Sequence, residues 1–353
     1  MYQLNEILEN KIINNLIAGF ERSPDQLNKP HESDAEIIQS REMKLAITTD
    51  SISEEISTGL YDDPNLIGWM IVTVNLSDLA AVGATPIGIL ISEIIPKDFD
   101  DEKINQLQKG ISDACKKHNT FVLGGDTNEG DKLVLTGTAI GIINSEKILS
   151  RVGVKPGDLL YSSGKLGIGN AYAISKLISE TGSSINYKPF AQINFCKIIS
   201  KYALACMDTS DGLISTLDQL MRLNNVGFEI TEKCEKLIDD EVLIYSKKLN
   251  FPSWLLLAGQ HGEFELVFTI PQNLKQEFIK EAEKNGFGPI ELGEVIPEKE
   301  IKMKLNEEFI TINSGFIRNL PYETKGDINH YLKLLLEYDS ELKKSHNLNF
   351  TSN

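Results

Sequence analysis

The chain is poor in the side chains that nucleophilic and acid–base chemistry uses most. Of its 353 residues five are histidine, four cysteine and two tryptophan. His31, His118, His261, His330 and His346 are scattered and form no relay, so ordinary surface or loop histidines are expected. Cys115, Cys196, Cys206 and Cys234 include no CxxC pair, which argues against a zinc or dithiol site and leaves buried free thiols. Basic residues are also short, 35 against 51 acids for a net charge of −16. Clustered Lys and Arg are what bind a phosphate backbone, so nucleic acid is not expected as the principal partner. No apolar run approaches the ~18 residues of a membrane span. The opening 20 residues lack the basic and then apolar layout of a signal peptide, so the expected compartment is the cytoplasm. A Walker A loop, a GxSxG elbow, an HExxH pair and a Rossmann fingerprint are all missing. The glycines of SGKLGIG, 163–169, read as a tight turn ahead of a helix.

What is present is an ordinary globular chain, 41% apolar and long enough for two domains with separate cores. Hydrophobic periodicity gives an α/β (α+β) alternation. Helical spacing covers 4–20, 64–82 and 100–117, and strand patterns cover 43–49, 85–95, 120–123 and 132–143. The run GGDTNEGD, 124–131, reads as a turn between the last two strands. SRVGVKPGD, 150–158, has Pro-Gly turn chemistry and marks the expected boundary between domains at 1–150 and 151–353. Beyond it the expectation is a strand at 158–163, helices at 170–180 and 213–223, a strand at 264–270 and an amphipathic helix at 327–344. That last helix is expected to pack on a domain or on a partner subunit.

The chemistry-bearing residues are aspartates. Asp50 ends a strand, Asp126 sits in Gly-Gly-Asp-Thr, and Asp208, Ser210 and Asp211 crowd the start of a helix, where free N–H groups favour an anion. Each has a structural alternative as a cap, a turn former or a solvated position. Asp78 fits those alternatives least, because it stands with Asn75 and Ser77 in an otherwise apolar helix. Burying a charge costs several kcal/mol unless it is paired or bound to metal. Mg2+ takes hard oxygen ligands and is commonly shared between a few carboxylates and substrate phosphates. Divalent cations would also allow so acidic a chain to hold a phosphate ligand.

Five runs, VNLSDLAAVGATP (74–86), GGDT (124–127), RVGVKPGD (151–158), DTSDGL (208–213) and FELVFTIP (264–271), resemble in order and spacing the thiamine-monophosphate kinases. These belong to the wider AIR synthase, or PurM-like, superfamily. The resemblance implies a PurM-like two-domain fold, with an N-terminal α/β domain whose mixed sheet forms a dimer interface and a C-terminal α/β domain. It implies a homodimer binding ATP and several Mg2+ ions, and a small phosphorylated substrate. The metal ligands it implies are Asp34, Asp50, Asp78, Asp126, Asp208 and Asp211. Thr48 and Thr49 lie near them, Gly125, Arg151 and Ser210 match nucleotide contacts, and Asp211 and Arg151 match catalytic positions. A phosphate acceptor has a second pKa of about 6 and is already an oxyanion at neutral pH, so the reaction needs no general base.

The departures from that family's pattern fall on the acceptor side. The family's Gly-Asp-Asp appears as Glu32-Ser33-Asp34, and its substrate-side histidine is Ser57 here. Its Gly-Gly-Asp-Thr-Thr-Arg has become GGDTNE, with Asn128, and its Gly-Gly-Glu-Asp-Tyr-Glu-Leu has become GQHGEFEL with one added residue, bringing in His261 and Glu263. The expectation is therefore an Mg-ATP-dependent phosphotransferase with an altered acceptor. An AIR synthase-related ligase and a non-catalytic nucleotide-binding regulator or assembly protein are the alternatives.

Overall fold

The computed structural model describes residues 4–178, 185–305 and 307–346. Its first half runs α1 (Leu8–Ile17), β1 (Glu36–Ser40), β2 (Met43–Ile52), α2 (Glu54–Ser57), α3 (Pro64–Ala81), β3 (Thr85–Pro96), α4 (Asp101–His118), β4 (Val122–Gly130) and β5 (Val134–Ile143). The strands form one mixed sheet in the order β1-β2-β5-β3-β4, in which only β3 and β4 run parallel. Residues 144–158 lead into β6 (Leu159–Ser162), α5 (Ile168–Leu177), α6 (Ile193–Tyr202), β7 (Ala205–Asp208), α7 (Gly212–Asn224), β8 (Gly227–Ile230), α8 (Cys234–Leu237) and α9 (Asp240–Lys248). The chain then continues through β9 (Leu266–Ile270), α10 (Lys275–Lys284), β10 (Ile290–Ile296), β11 (Ile301–Leu305), β12 (Glu308–Ile312), α11 (Ser314–Thr324) and α12 (Ile328–Ser345). The second sheet has the order β12-β11-β8-β10-β6-β9-β7 and is antiparallel except for β8 with β11. No described helix is long and apolar enough to cross a membrane.

Helix α3 joins the halves. Pro64 opens it, where a missing N–H costs nothing, and the Asp63 carboxylate caps the Asn65 N–H. It is apolar all round because it is packed all round, against β2 and β5 on one side and β7 and α6 on the other. Its crossing with α4 is made at Gly68, where a Cβ would run into the Leu107 carbonyl. In the second half Phe195, Phe268 and Phe278 fill the space between α6, α10 and β9, with Phe287 stacked on Phe195. All four cysteines are free and buried.

Two expectations are overturned. GGDTNE is not a turn: residues 122–130 form β4, an edge strand paired with β3 from Val122 opposite Ile89 to Gly130 opposite Pro96. A Cβ at Gly125 would overlap the Ile91 carbonyl, so this glycine permits close strand approach where the sequence suggested a turn. The edge is exposed and apolar at Phe121 (67%), Val122 (48%) and Leu123 (50%). His118, expected at the surface, is buried, and its Nε2 accepts the Ala191 N–H at 2.9 Å. The C-terminal helix α12 packs on its own chain through buried Leu335 and through Trp254, whose Nε1 donates to Asp339 at 2.8 Å.

Candidate functional site

The polar residues of α3 each have a use. Asn75 accepts the Asp50 N–H at 3.1 Å and donates to the Ile71 carbonyl, which ties the end of β2 to the helix. Ser77 donates to Asp208 at 2.6 Å, linking the helix to the end of β7. Asp78 accepts the Thr48 hydroxyl. Along β2 the alternation puts Thr48 and Asp50 on the face toward α3, while Thr49 and Ser51 bond to Thr138 and Thr136 on the other face. The turn after β7 is held by its neighbours. Thr209 N–H donates to the Glu265 carbonyl, Gly262 N–H donates to the Ser210 carbonyl, and Thr216 caps the Asp208 carbonyl at 2.9 Å. Gly262 is obligatory there, since a Cβ would overlap the Thr209 carbonyl.

These elements bring Asp34, Asp78 and Asp208 together, with one carboxylate oxygen of each within 4.8 Å of the others. Asp34 Oδ1 pairs with Arg151 Nη2 at 2.9 Å, whereas Asp34 Oδ2 is buried without a hydrogen-bond partner. Burial raises the Asp50 and Asp78 carboxyls above the usual range, and the neighbouring carboxylates push Asp78 further. Asp208 is lifted by burial, and then by Asp34, to about 7, and Asp211 by burial to about 6. Unpaired oxygens, closely spaced carboxylates and raised proton affinity are what a hard divalent cation would relieve. The group lines a crevice of about 430 Å³ between the halves, together with Thr48, Thr49, Asp50, Arg151, Ser210, Asp211 and His261.

Five of the expected residues lie elsewhere. Gly125, Asp126 and Asn128 are on exposed β4, where Asn128 donates to Asp126 at 2.6 Å. Ser57 sits at the end of α2 and donates to the Glu54 carbonyl. Glu263 is buried and faces inward, accepting the Gly167 N–H at 2.7 Å and the Thr209 hydroxyl at 3.2 Å. Burial lifts its carboxyl to about 8, and through those two bonds it holds the turn beside the crevice without lining it.

Other lining residues went unread in the sequence. Glu55 has a buried oxygen without a partner, and burial raises its pKa. Arg318 of α11 pairs with Asp218 and with Glu9 of α1 at the crevice edge. Gln260 is the residue beside the added position in GQHGEFEL, which was the available signal. Gln260 and His261 also border a second, largely apolar cavity of about 200 Å³ between α5, α11 and α12. Burial holds the His261 imidazole down to about 4, so it is neutral at physiological pH.

The AIR synthase related protein N-terminal domain model matches residues 32–143, the segment that carries Asp34, Asp50, Asp78 and Asp126. The thiamine-monophosphate kinase of Aquifex aeolicus is 30% identical over 266 residues, covering 71% of this chain and 83% of the relative. That of Pyrococcus horikoshii is 30% identical over 277 residues, covering 76% and 84%. The solved structure of AaThiL complexed with AMPPCP and TMP superposes with a TM-score of 0.70 at 24% identity, covering 88% of this chain and 98% of that one, which establishes the same PurM-like fold. With that fold, this acid crevice and those relatives, the chain belongs to the thiamine-monophosphate kinase family.

Proposed function

We propose that the protein is an Mg2+-dependent kinase that transfers the γ-phosphoryl group of ATP to the phosphate of thiamine monophosphate. The observation that carries this reading is the convergence of Asp34, Asp78 and Asp208 within 4.8 Å, with an unpartnered carboxylate oxygen among them. The donor set is all oxygen, as Mg2+ requires. Bound by Asp34, Asp78 and Asp208, with Asp50 and Asp211 beside them, Mg2+ would neutralise phosphate charge.

The chain's own residues account for the rest. The acceptor oxygen attacks the γ-phosphorus as the bond from that phosphorus to the β–γ bridging oxygen breaks, its electron pair leaving with ADP. No proton has to be removed, because a phosphate monoester is ionised at neutral pH. That agrees with a crevice whose two imidazoles, His31 and His261, both have their proton affinity lowered by burial. Arg151 supplies a fixed positive charge beside Asp34, where developing charge on the transferring group needs it. Ser210, at the start of α7, offers its hydroxyl to the nucleotide. The apolar cavity next to the crevice suits the organic part of the acceptor.

A homodimer belongs to this reading. Asp50 on β2 and Asp126 on β4 are three strands apart, about 14 Å at the usual strand spacing, so one chain cannot bring both to a single ion. The apolar edge at β4 and the exposed Ile87 and Leu90 of β3 suit a second copy, with Gly125 and Asp126 of the partner subunit completing the nucleotide site. We assign crevice walls to two units, 1–150 and 151–353.

Purified protein given Mg-ATP and thiamine monophosphate should form ADP and thiamine diphosphate in equal amounts, and a chelator should stop both. Tight Mg-ATP binding with no thiamine diphosphate formed would contradict the reading.

A further inference from the structure

The run GQHGEFEL, 259–266, has one residue more than the family's pattern, and it brings His261 to the place where the acid crevice and the apolar cavity meet. The position of this side chain is fixed by the fold. The His261 N–H donates to Asn170 Oδ1 at 3.0 Å, and Asn170 Nδ2 donates to the Leu256 carbonyl at 2.8 Å. On the other side of the loop the Tyr187 hydroxyl donates to the Gly262 carbonyl at 2.7 Å. The imidazole packs among Tyr61, Tyr172 and Tyr187, whose ring centres lie 5.6, 6.2 and 5.1 Å away.

The two ring nitrogens differ in what they meet. Nε2 lies 3.3 Å from the hydroxyl of buried Tyr61. That hydroxyl also neighbours Tyr187, but an imidazole nitrogen is far more basic than a phenol oxygen and takes the proton in preference. The ring is neutral, so with Nε2 accepting from Tyr61 its single proton sits on Nδ1. Nδ1 makes no hydrogen bond among the described residues, yet it is not enclosed, and the side chain is half-buried. The Nδ1–H is therefore a free donor opening on the space that the ring lines.

We propose that His261 is a binding and specificity-determining residue for the acceptor, its Nδ1–H donating to an oxygen of the acceptor's phosphate ester, and that Tyr61 is a positioning residue that keeps the proton on Nδ1. This inference rests on the kinase reading for the identity of the acceptor, and on the Tyr61–His261 pair alone for the tautomer. An uncharged donor holds the phosphate without protonating it, which leaves the acceptor an oxyanion. Standing between the two spaces, it engages the acceptor where the phosphate joins the organic part.

The test uses the full chain and three variants. His261→Leu removes both ring nitrogens, His261→Asn puts an amide N–H in the place of Nδ1–H, and Tyr61→Phe removes the hydroxyl. Nitrogen NMR of the isotope-labelled, ligand-free protein should find the His261 proton on Nδ1, and in Tyr61→Phe it should find the proton shared between the two nitrogens. Thiamine monophosphate is titrated into each protein, and steady-state kinetics are run with Mg-ATP. His261→Leu should weaken thiamine monophosphate binding and raise its KM about tenfold to a hundredfold, the effect of one hydrogen bond to a charged group. Tyr61→Phe should raise the same KM about threefold to tenfold, and His261→Asn should restore most of what His261→Leu loses. The KM for ATP should stay as in the unaltered protein, a split that a merely structural role would not give. A proton on Nε2 in the unaltered protein, or turnover with the acceptor KM unchanged in His261→Leu, overturns the inference and leaves the kinase reading standing. Equal losses in His261→Leu and His261→Asn overturn it as well. A proton on Nδ1, with binding weakened in His261→Leu and restored in His261→Asn but no turnover by any of the proteins, supports the inference and overturns the kinase reading. Absence of any thiamine monophosphate binding overturns both.

Discussion

The acid crevice and the apolar cavity meet at Gln260 and His261 but are built by different rules. In the crevice the functional side chains stand at the ends of β2 and β7 and on α3, and they are wired to one another by short hydrogen bonds: Thr48 to Asp78, Ser77 to Asp208, Asn75 to the Asp50 backbone. Moving one moves the others, so charge placement there is a property of the whole fold. The cavity is a gap between helices, walled on one side by α12. Its walls can vary in size and polarity without disturbing the acids. The difference explains how a chain can keep its phosphate-handling motifs while its acceptor-side runs change.

Substitutions in the two regions break or sharpen this contrast. Asp78→Asn and Asp208→Asn should each lower turnover by about a thousandfold or more, since each removes a carboxylate that would hold Mg2+ against the phosphates. Substitutions confined to the cavity should act on the acceptor KM alone. Asp126→Asn should abolish metal-dependent ATP binding, measured by isothermal titration, although Asp126 lies outside the crevice of its own chain. Mixing it with Asp50→Asn after denaturation and refolding should restore about a quarter of full activity, because half of randomly paired dimers carry one intact site. No recovery would show that Asp126 does not complete the site of the partner subunit.

Gly262→Ala should cost about 2–4 kcal/mol in denaturant unfolding, because the new methyl overlaps the Thr209 carbonyl and must shift the Asp208–Asp211 turn. The smallest effect is on pH. Folding raises the carboxyls of Asp208 and Asp211 to about 7 and about 6, so between the ordinary carboxylate range and pH 7 the folded chain binds more protons than the unfolded one. The stability this gives is complete near pH 4 and is lost as pH rises through 6 and 7. Metal-free protein should therefore lose stability steadily between pH 5 and 8, and saturating Mg2+ should flatten that slope.

The sequence made Asp78 legible because a charge among apolar helical residues has no inexpensive explanation, and Asn75 and Ser77 stood out beside it for the same reason. The pairing of Asp34 with Arg151, 117 residues apart, was not foreseen, since the resemblance made one a metal ligand and the other a nucleotide contact. GGDTNE misled because glycine serves both turns and close strand contacts, and only the pairing of β3 with β4 separates the two. The short strands β1, β7, β8 and β10–β12 and the helices α2, α6 and α8–α11 were not foreseen, since their patterns are too brief to stand out from the loops around them. Glu263 looked substrate-facing by its place in a motif, yet its carboxylate turns inward to Gly167 and Thr209. Leu332 and Leu335, which line the apolar cavity, lay in a stretch that read only as an amphipathic helix, and what they face depends on how that helix docks against α5 and α11, which no local pattern encodes.

The most direct test of the central claim is a phosphorus NMR spectrum of the protein with ATP, Mg2+ and thiamine monophosphate. The account predicts that the ATP γ-phosphorus signal and the monophosphate signal decay together into ADP and a thiamine diphosphate pair, and that chelation stops the change. A γ-phosphorus that appears as inorganic phosphate while the monophosphate signal persists would contradict it.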